Sequence, residues 1–180
     1  MATYLGTHGS KIQNYTTDPD NPNTGEVWYN ETANTLKFQY PNTFSQGSWA
    51  TGGNLNTARG YLSGANNAPQ TTALVFGGTE PPPRGALTEL YNGSNWTETT
   101  DLNTARSSLG GAGISTSALA VAGHAPGAVA VVESFNGSNW TEVGDLNTAR
   151  DALAAVGADN TSALAFGGNP PVRNETEEWN

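Results

Sequence analysis

Arginine and glutamate recur at matched positions along this 180-residue chain, and they are the side chains with the most capacity for chemistry. Arg59, Arg106 and Arg150 each close a copy of the pentapeptide LNTAR, at 55–59, 102–106 and 146–150. Glu89, Glu133 and Glu177 each precede an aromatic ring by two residues: Tyr91, Phe135 and Trp179. Guanidinium groups ringing one point would bind an anion such as an acidic glycan. The alternative is that each five-donor fork satisfies loop carbonyls between neighbouring repeat units, and the repetition of the whole pentapeptide favours it. Likewise the carboxylates could converge on an axis and hold a cation, or occupy solvated and edge positions that recur because the unit recurs. The second reading is again preferred.

The remaining inventory argues against catalysis. His8 and His124 are the two histidines, and neither falls in a metal-ligand or triad spacing. The stretch DPDNPNTGE (18–26) clusters Asp18, Asp20 and Asn23, but Pro22 falls where a calcium ligand belongs and no glutamate closes the loop at the needed distance. A proline-locked turn is the expectation there. Cysteine is absent, which removes disulfides, thiolate metal sites and cysteine nucleophiles together. No catalytic residue, metal or cofactor is expected. The net charge of −9, with only 7 Lys and Arg, disfavours nucleic acid and anionic membrane surfaces, because both require clustered cations. No apolar run approaches the roughly 18–20 residues of a membrane span, and the N-terminus lacks signal-peptide features.

The elements that carry these residues repeat every roughly 45 positions, a period typical of arrays and rings. Each unit begins with apolar residues at fixed offsets from the arginine, Leu62, Leu109 and Leu153, then Ala65, Ala112 and Val156. Runs ending in small residues follow: TTALVFGG (71–78), TSALAVAG (116–123) and TSALAFGG (161–168), closed by Gly77-Gly78, Ala122-Gly123 and Gly167-Gly168. A third strand ends at the aromatic, LTELY (87–91), VVESF (131–135) and ETEEW (175–179). A tight NGSN turn then leads to Trp96 or Trp140, and FSQGSW (44–49) is a degenerate earlier copy ending in Trp49. Six residues past each Trp lies the leucine of LNTAR. Four short strands per unit predict an all-β fold of propeller-like blades.

These residues resemble kelch repeats, in which a Gly-Gly pair closing an apolar strand precedes a spaced Tyr and Trp. The resemblance covers roughly 44–180. LNTAR, ALAFGG, EEWN and NGSNWTE look more narrowly like the kelch-like repeat proteins of marine bacteriophages, of the cyanophage type. Ala122 departs from the Gly-Gly pattern, which raises the question of the backbone conformation there. Copper-radical chemistry, known on some kelch-like propellers, needs a cysteine that is absent.

Residues 44–55 read as the last strand of a unit, and 151–180 as a unit without its last strand. The expectation is three units, with the N-terminal strand closing the final one, within the chain or across chains of a homo-oligomer. A β-prism and a β-trefoil are the alternatives. Residues 1–43 form a separate region, with a hairpin of EVWYN (26–30) and TLKFQY (35–40) in which Val27, Tyr29, Leu36 and Phe38 face inward or toward a partner. GEVWYN…LKF, which includes Trp28, resembles short modules near the ends of phage tail and fibre proteins and implies an attachment element. The resemblance as a whole implies a non-enzymatic virion structural protein, a tail appendage or fibre that contacts the host surface and other virion proteins. A capsid decoration protein and a glycan-binding or glycan-cleaving module are the competing expectations, the last needing a carboxylate pair that cannot be assigned.

Overall fold

In the computed structural model of the chain, residues 12–20, 26–38, 47–79 and 85–180 are described, and their regular structure is entirely β. His8, Asn23, Tyr40 and Phe44 lie outside the described residues. The chain divides into two units, Met1–Ala50 and Thr51–Asn180.

In the first unit, strands β1 (Gln13–Tyr15), β2 (Val27–Asn30) and β3 (Thr35–Phe38) form one sheet in that order. β2 and β3 make the expected antiparallel hairpin, pairing Val27 with Phe38 and Asn30 with Thr35, while β1 runs parallel to β2. The face turned inward within this unit is the one opposite to Val27, Leu36 and Phe38, which leaves these residues the partner-facing alternative. Trp28 and Asn30 are buried, whereas Val27, Leu36 and Phe38 are exposed. The cause is Asp18, whose carboxylate accepts hydrogen bonds from the Trp28 indole (3.0 Å), the Asn30 amide (2.7 Å) and the Lys37 ammonium (2.9 Å), and so draws its segment toward that face. The acidic cluster that resembles a calcium loop thus uses its first carboxylate inside the protein.

The second unit holds three sheets of antiparallel neighbours, each in meander order with strands consecutive in sequence lying side by side. The first is β4 (Ser63–Gly64), β5 (Ala73–Phe76), β6 (Thr88–Tyr91) and β7 (Trp96–Thr99). The second is β8 (Gly110–Ile114), β9 (Ser117–His124), β10 (Ala128–Phe135) and β11 (Trp140–Glu142). The third has β12 (Ala154–Asp159), β13 (Ser162–Phe166) and β14 (Thr176–Trp179). No described residue adds a fourth strand beside β14, and the described sheets do not close into a barrel or ring. The offsets read from the arginines locate these strands to within a few residues.

The NGSN turns work differently from a two-residue turn with two positive φ values. Only the glycines, Gly93 and Gly137, adopt positive φ (93° each). Asn92 and Asn136 instead turn their side chains back, so that each amide oxygen accepts the backbone N–H groups two and three residues on. Ala122 answers the question that its sequence raised: it takes φ of 53°, near the 67° and 69° of Gly77 and Gly167. The middle unit therefore keeps the same backbone path with a methyl group in the left-handed region, which costs about 1–2 kcal/mol relative to the right-handed one.

Two apolar cores separate the three sheets. Phe76, Leu102, Leu109, Phe135 and Trp140 belong to the one between the first and second sheets, and Leu119, Val121, Val132, Leu153 and Ala165 to the one between the second and third. Close approach at the inner strands depends on glycine. A Cβ built on Gly110 would lie 2.9 Å from that of Ala155, and one on Gly111 would strike the Gly64 carbonyl. β8 can therefore pack against both β4 and β12.

Asp18 gives the first unit a defined pH dependence. Hydrogen bonds from Lys37, Asn30 and Trp28, in that order of importance, lower its pKa from 3.8 to about 2. Because the folded value is depressed, the contribution is fully present above the unfolded value and is lost as pH falls through about 2. The Trp28 indole proton, followed by NMR between pH 5 and 1.5, should titrate with a midpoint near 2 and lose that titration in Asp18→Asn. A midpoint near 4 would contradict the hydrogen-bonded geometry.

Candidate functional site

The second and third LNTAR segments are linkers that leave one sheet and grip the next, and the first grips the sheet that follows it. The middle copy shows both halves. Its backbone stays with the first sheet: Leu102 N donates to Ala86 O (3.0 Å), Arg106 N donates to Gly85 O (3.3 Å), and Arg106 O accepts from Gly78 N (2.9 Å). Its side chains enter the second sheet. Arg106 donates from Nε to Ala122 O (2.9 Å), from Nη2 to Ala120 O (3.0 Å) and from Nη1 to Thr104 O (3.0 Å), and pairs through Nη1 with the Glu133 carboxylate. Glu133 in turn accepts from Asn103 N (2.7 Å), Asn103 Nδ2 (2.8 Å) and Thr104 N (3.2 Å). Both charged side chains are fully buried.

The other copies repeat the clasp. Arg59 donates to the carbonyls of Gly77 and Leu87 and pairs with Glu89 at 2.8 Å, while Asn56 N caps the same carboxylate at 2.7 Å. Arg150 pairs with Glu177 at 2.8 Å, with Asn147 N and Nδ2 at 2.7 and 2.8 Å. The outer clasps are less complete. The Nε groups of Arg59 and Arg150 are buried without a hydrogen-bond partner among the described residues, and Glu177 retains 16% side-chain exposure.

The three arginines do not meet at one point, and the glutamates neither converge on an axis nor lie in solvent. Each arginine meets its own glutamate. The sequence carried this signal in an equal separation of 27 residues for the second and third pairs. The charge match was read as two separate triplets because the partners lie on different elements, a linker and a third strand.

The aromatics serve the same junctions. Trp140 places its ring edge-on to Phe76 (4.9 Å, 69°) and tilted against Phe135 (5.0 Å), and its indole donates to Thr88 Oγ1 at 3.1 Å, across the first intersheet core. Trp96 is half-buried, tilted against Tyr91 at 5.0 Å, and donates to Gly53 O. Trp179 donates to Asn160 O, and Trp49 is fully exposed. Asparagines that the sequence did not single out tie the sheets together: Asn66 Nδ2 donates to Gly111 O and Ala155 O, and Asn160 Nδ2 to Phe135 O. In a chain so rich in Asn, no pattern distinguishes them.

His124 is half-buried at the end of β9, where its backbone bridges to Ser107. Among the described residues, no group of three or more His, Asp and Glu side chains is placed to hold a metal ion. The indentation of greatest structural interest lies between the second and third sheets. It offers a cavity of about 90 Å³ and is lined in part by Leu119, Val121, Val132, Leu146, Ala163 and Trp179. Asp145, Asn147, Glu177 and Glu178 also line it, but the Asn147 amide already donates to Glu177, so the apolar part of the wall suits a side chain better than a polar substrate. No protein-family model matches the chain, and no curated protein is significantly similar to it.

Removing the charge from one clasp should destabilise in proportion to its burial. Glu133→Gln leaves the Arg106 guanidinium buried without its counter-charge and should cost about 3–5 kcal/mol in chemical denaturation. Glu177→Gln, with partial solvent access to its carboxylate, should cost no more than ~2 kcal/mol. Equal losses would show that burial does not set the strength of these pairs.

Proposed function

We propose that the chain is a bacteriophage virion structural protein, a tail appendage or fibre component that contacts the host surface without catalysing a reaction. On this reading the three sheets are kelch-like propeller blades, and the first unit, with Val27, Leu36 and Phe38 exposed, anchors the protein to another virion protein. The observation that carries the reading is the inward direction of the repeated chemistry. All three arginines of the motif are buried and committed to glutamates and carbonyls, so the repeated residues maintain a scaffold rather than present a ligand site. Turns such as Asn92–Asn95 and Asn136–Asn139 lie outside that scaffold and are free to carry recognition. The resemblance of LNTAR, ALAFGG and NGSNWTE to phage-encoded kelch-like proteins supplies the virion context.

Incubating the protein with polysaccharide from candidate hosts, while measuring both retention and release of reducing ends, separates the functional classes. Retention without release is the expected outcome. Release of reducing ends would contradict the non-enzymatic reading, and labelled antibody on the capsid rather than the tail would replace the appendage with a decoration protein.

A further inference from the structure

The cleft between the second and third sheets lies at the position that a tryptophan fills at the first junction. At that first junction Trp140 lies between Phe76 and Thr88 of one sheet and Phe135 of the next. One unit further on, the corresponding positions are Val121, Val132 and Trp179, and all three line the cleft. The strand that would bring an indole there is the one beside β14, the edge that no described residue pairs with. Trp96 and Trp140 each enter their sheets opposite the aromatic of the third strand, Tyr91 or Phe135, six residues before the leucine of LNTAR. Trp49 stands at that same spacing before Leu55, and its side chain is fully exposed.

The backbone carries a second, independent set of matched groups. At the junction of the first and second sheets, Leu102 N and Arg106 N donate to Ala86 O and Gly85 O, Gly78 N donates to Arg106 O, and Ser108 N donates to Tyr61 O. At the next junction Leu146 N, Arg150 N, Gly123 N and Ala152 N repeat these bonds. Continuing the series, the third sheet presents the carbonyls of Asn174, Arg173 and Ala152 and the N–H of Gly168, and no described residue bonds any of them. The first LNTAR segment presents the complementary set: the N–H groups of Leu55, Arg59 and Tyr61 and the carbonyl of Arg59, equally without described partners. One end of the three-sheet array is thus the other half of the junction that the opposite end begins.

We infer that a second copy of this chain docks its segment 47–61 on the third sheet, adding a strand beside β14 and inserting Trp49 into the cleft against Val121, Val132 and Trp179. The contact is head to tail, and such contacts either close or grow without limit. Two copies of a three-sheet chain supply six sheets, within the roughly four to eight of known propellers, whereas one copy closing on itself would fall below that range. The second copy also covers Glu177, the one clasp carboxylate that is partly exposed. This assembly does not depend on the host-contact role.

By the register of Ser134 with Thr141, Ala50 of one copy faces Glu178 of the other. The chain has no cysteine, so Ala50→Cys and Glu178→Cys each introduce a single thiol. Mixing the two single variants under mild oxidation should give a disulfide-linked dimer, and light scattering of the unmodified protein should give twice the chain mass. Trp49→Ala should weaken that association at least tenfold without altering the far-ultraviolet circular dichroism of the dilute chain, where the Trp49 side chain is fully exposed. A monomeric unmodified protein would overturn the inference. So would a mixture that fails to cross-link while the double variant closes on itself, or a Trp49→Ala variant that associates as tightly as the parent.

Discussion

The buried pairing of a linker arginine with a third-strand glutamate is the constraint on which the sheet array depends. Arg106 reaches from a segment whose backbone belongs to the first sheet and satisfies carbonyls of β9 while neutralising Glu133 on β10. Sheets stacked only by apolar cores could slide, since burial of small residues such as Ala118, Ala120 and Ala155 is nearly non-directional. The clasp removes that freedom. Its donors fit one position of the linker along the strand, and a displaced linker would leave a guanidinium and a carboxylate buried without partners, a far greater penalty than the pairing itself gains. The glycines complete the device by letting β8 approach both neighbours, and the tryptophan of the fourth strand fills what the small residues leave open.

Much of this was legible in the sequence. The repeated LNTAR, the Gly-Gly and Ala-Gly closures and the NGSN turns marked the units and their strands because each motif has a local physical cause: a forced positive φ, a side-chain cap, a fixed strand exit. The pairing of Arg59, Arg106 and Arg150 with Glu89, Glu133 and Glu177 was not read, because it joins residues that approach only after the linker crosses between sheets. The sequence also left open whether Val27, Tyr29, Leu36 and Phe38 face inward or toward a partner. Hydrophobicity pointed to Val27, Leu36 and Phe38, whereas a single polar anchor, Asp18, turned Trp28 and Asn30 inward. Amphipathic alternation identifies two faces but does not say which one a neighbouring carboxylate will draw in.

The same organisation bears on what the protein does. The repeated charged groups are spent on internal registration, so on the proposed reading recognition would fall to the turns and to exposed apolar surfaces such as that of Val27 and Leu36. An array with a defined head and tail also links assembly to presentation. In the proposed assembly, closing the last junction would bury Trp49 and the third clasp in one step and fix the turns of neighbouring chains in a common frame.

A double-mutant cycle on the central clasp tests the account most directly. Arg106→Met, Glu133→Leu and the double variant would be compared by chemical denaturation. The account predicts that either single change costs about 3–5 kcal/mol and that the double variant costs clearly less than their sum, since each single change strands a buried charge that the double change removes. Additive losses would contradict it, showing that the two residues act on separate parts of the structure and that the sheets take their register from elsewhere.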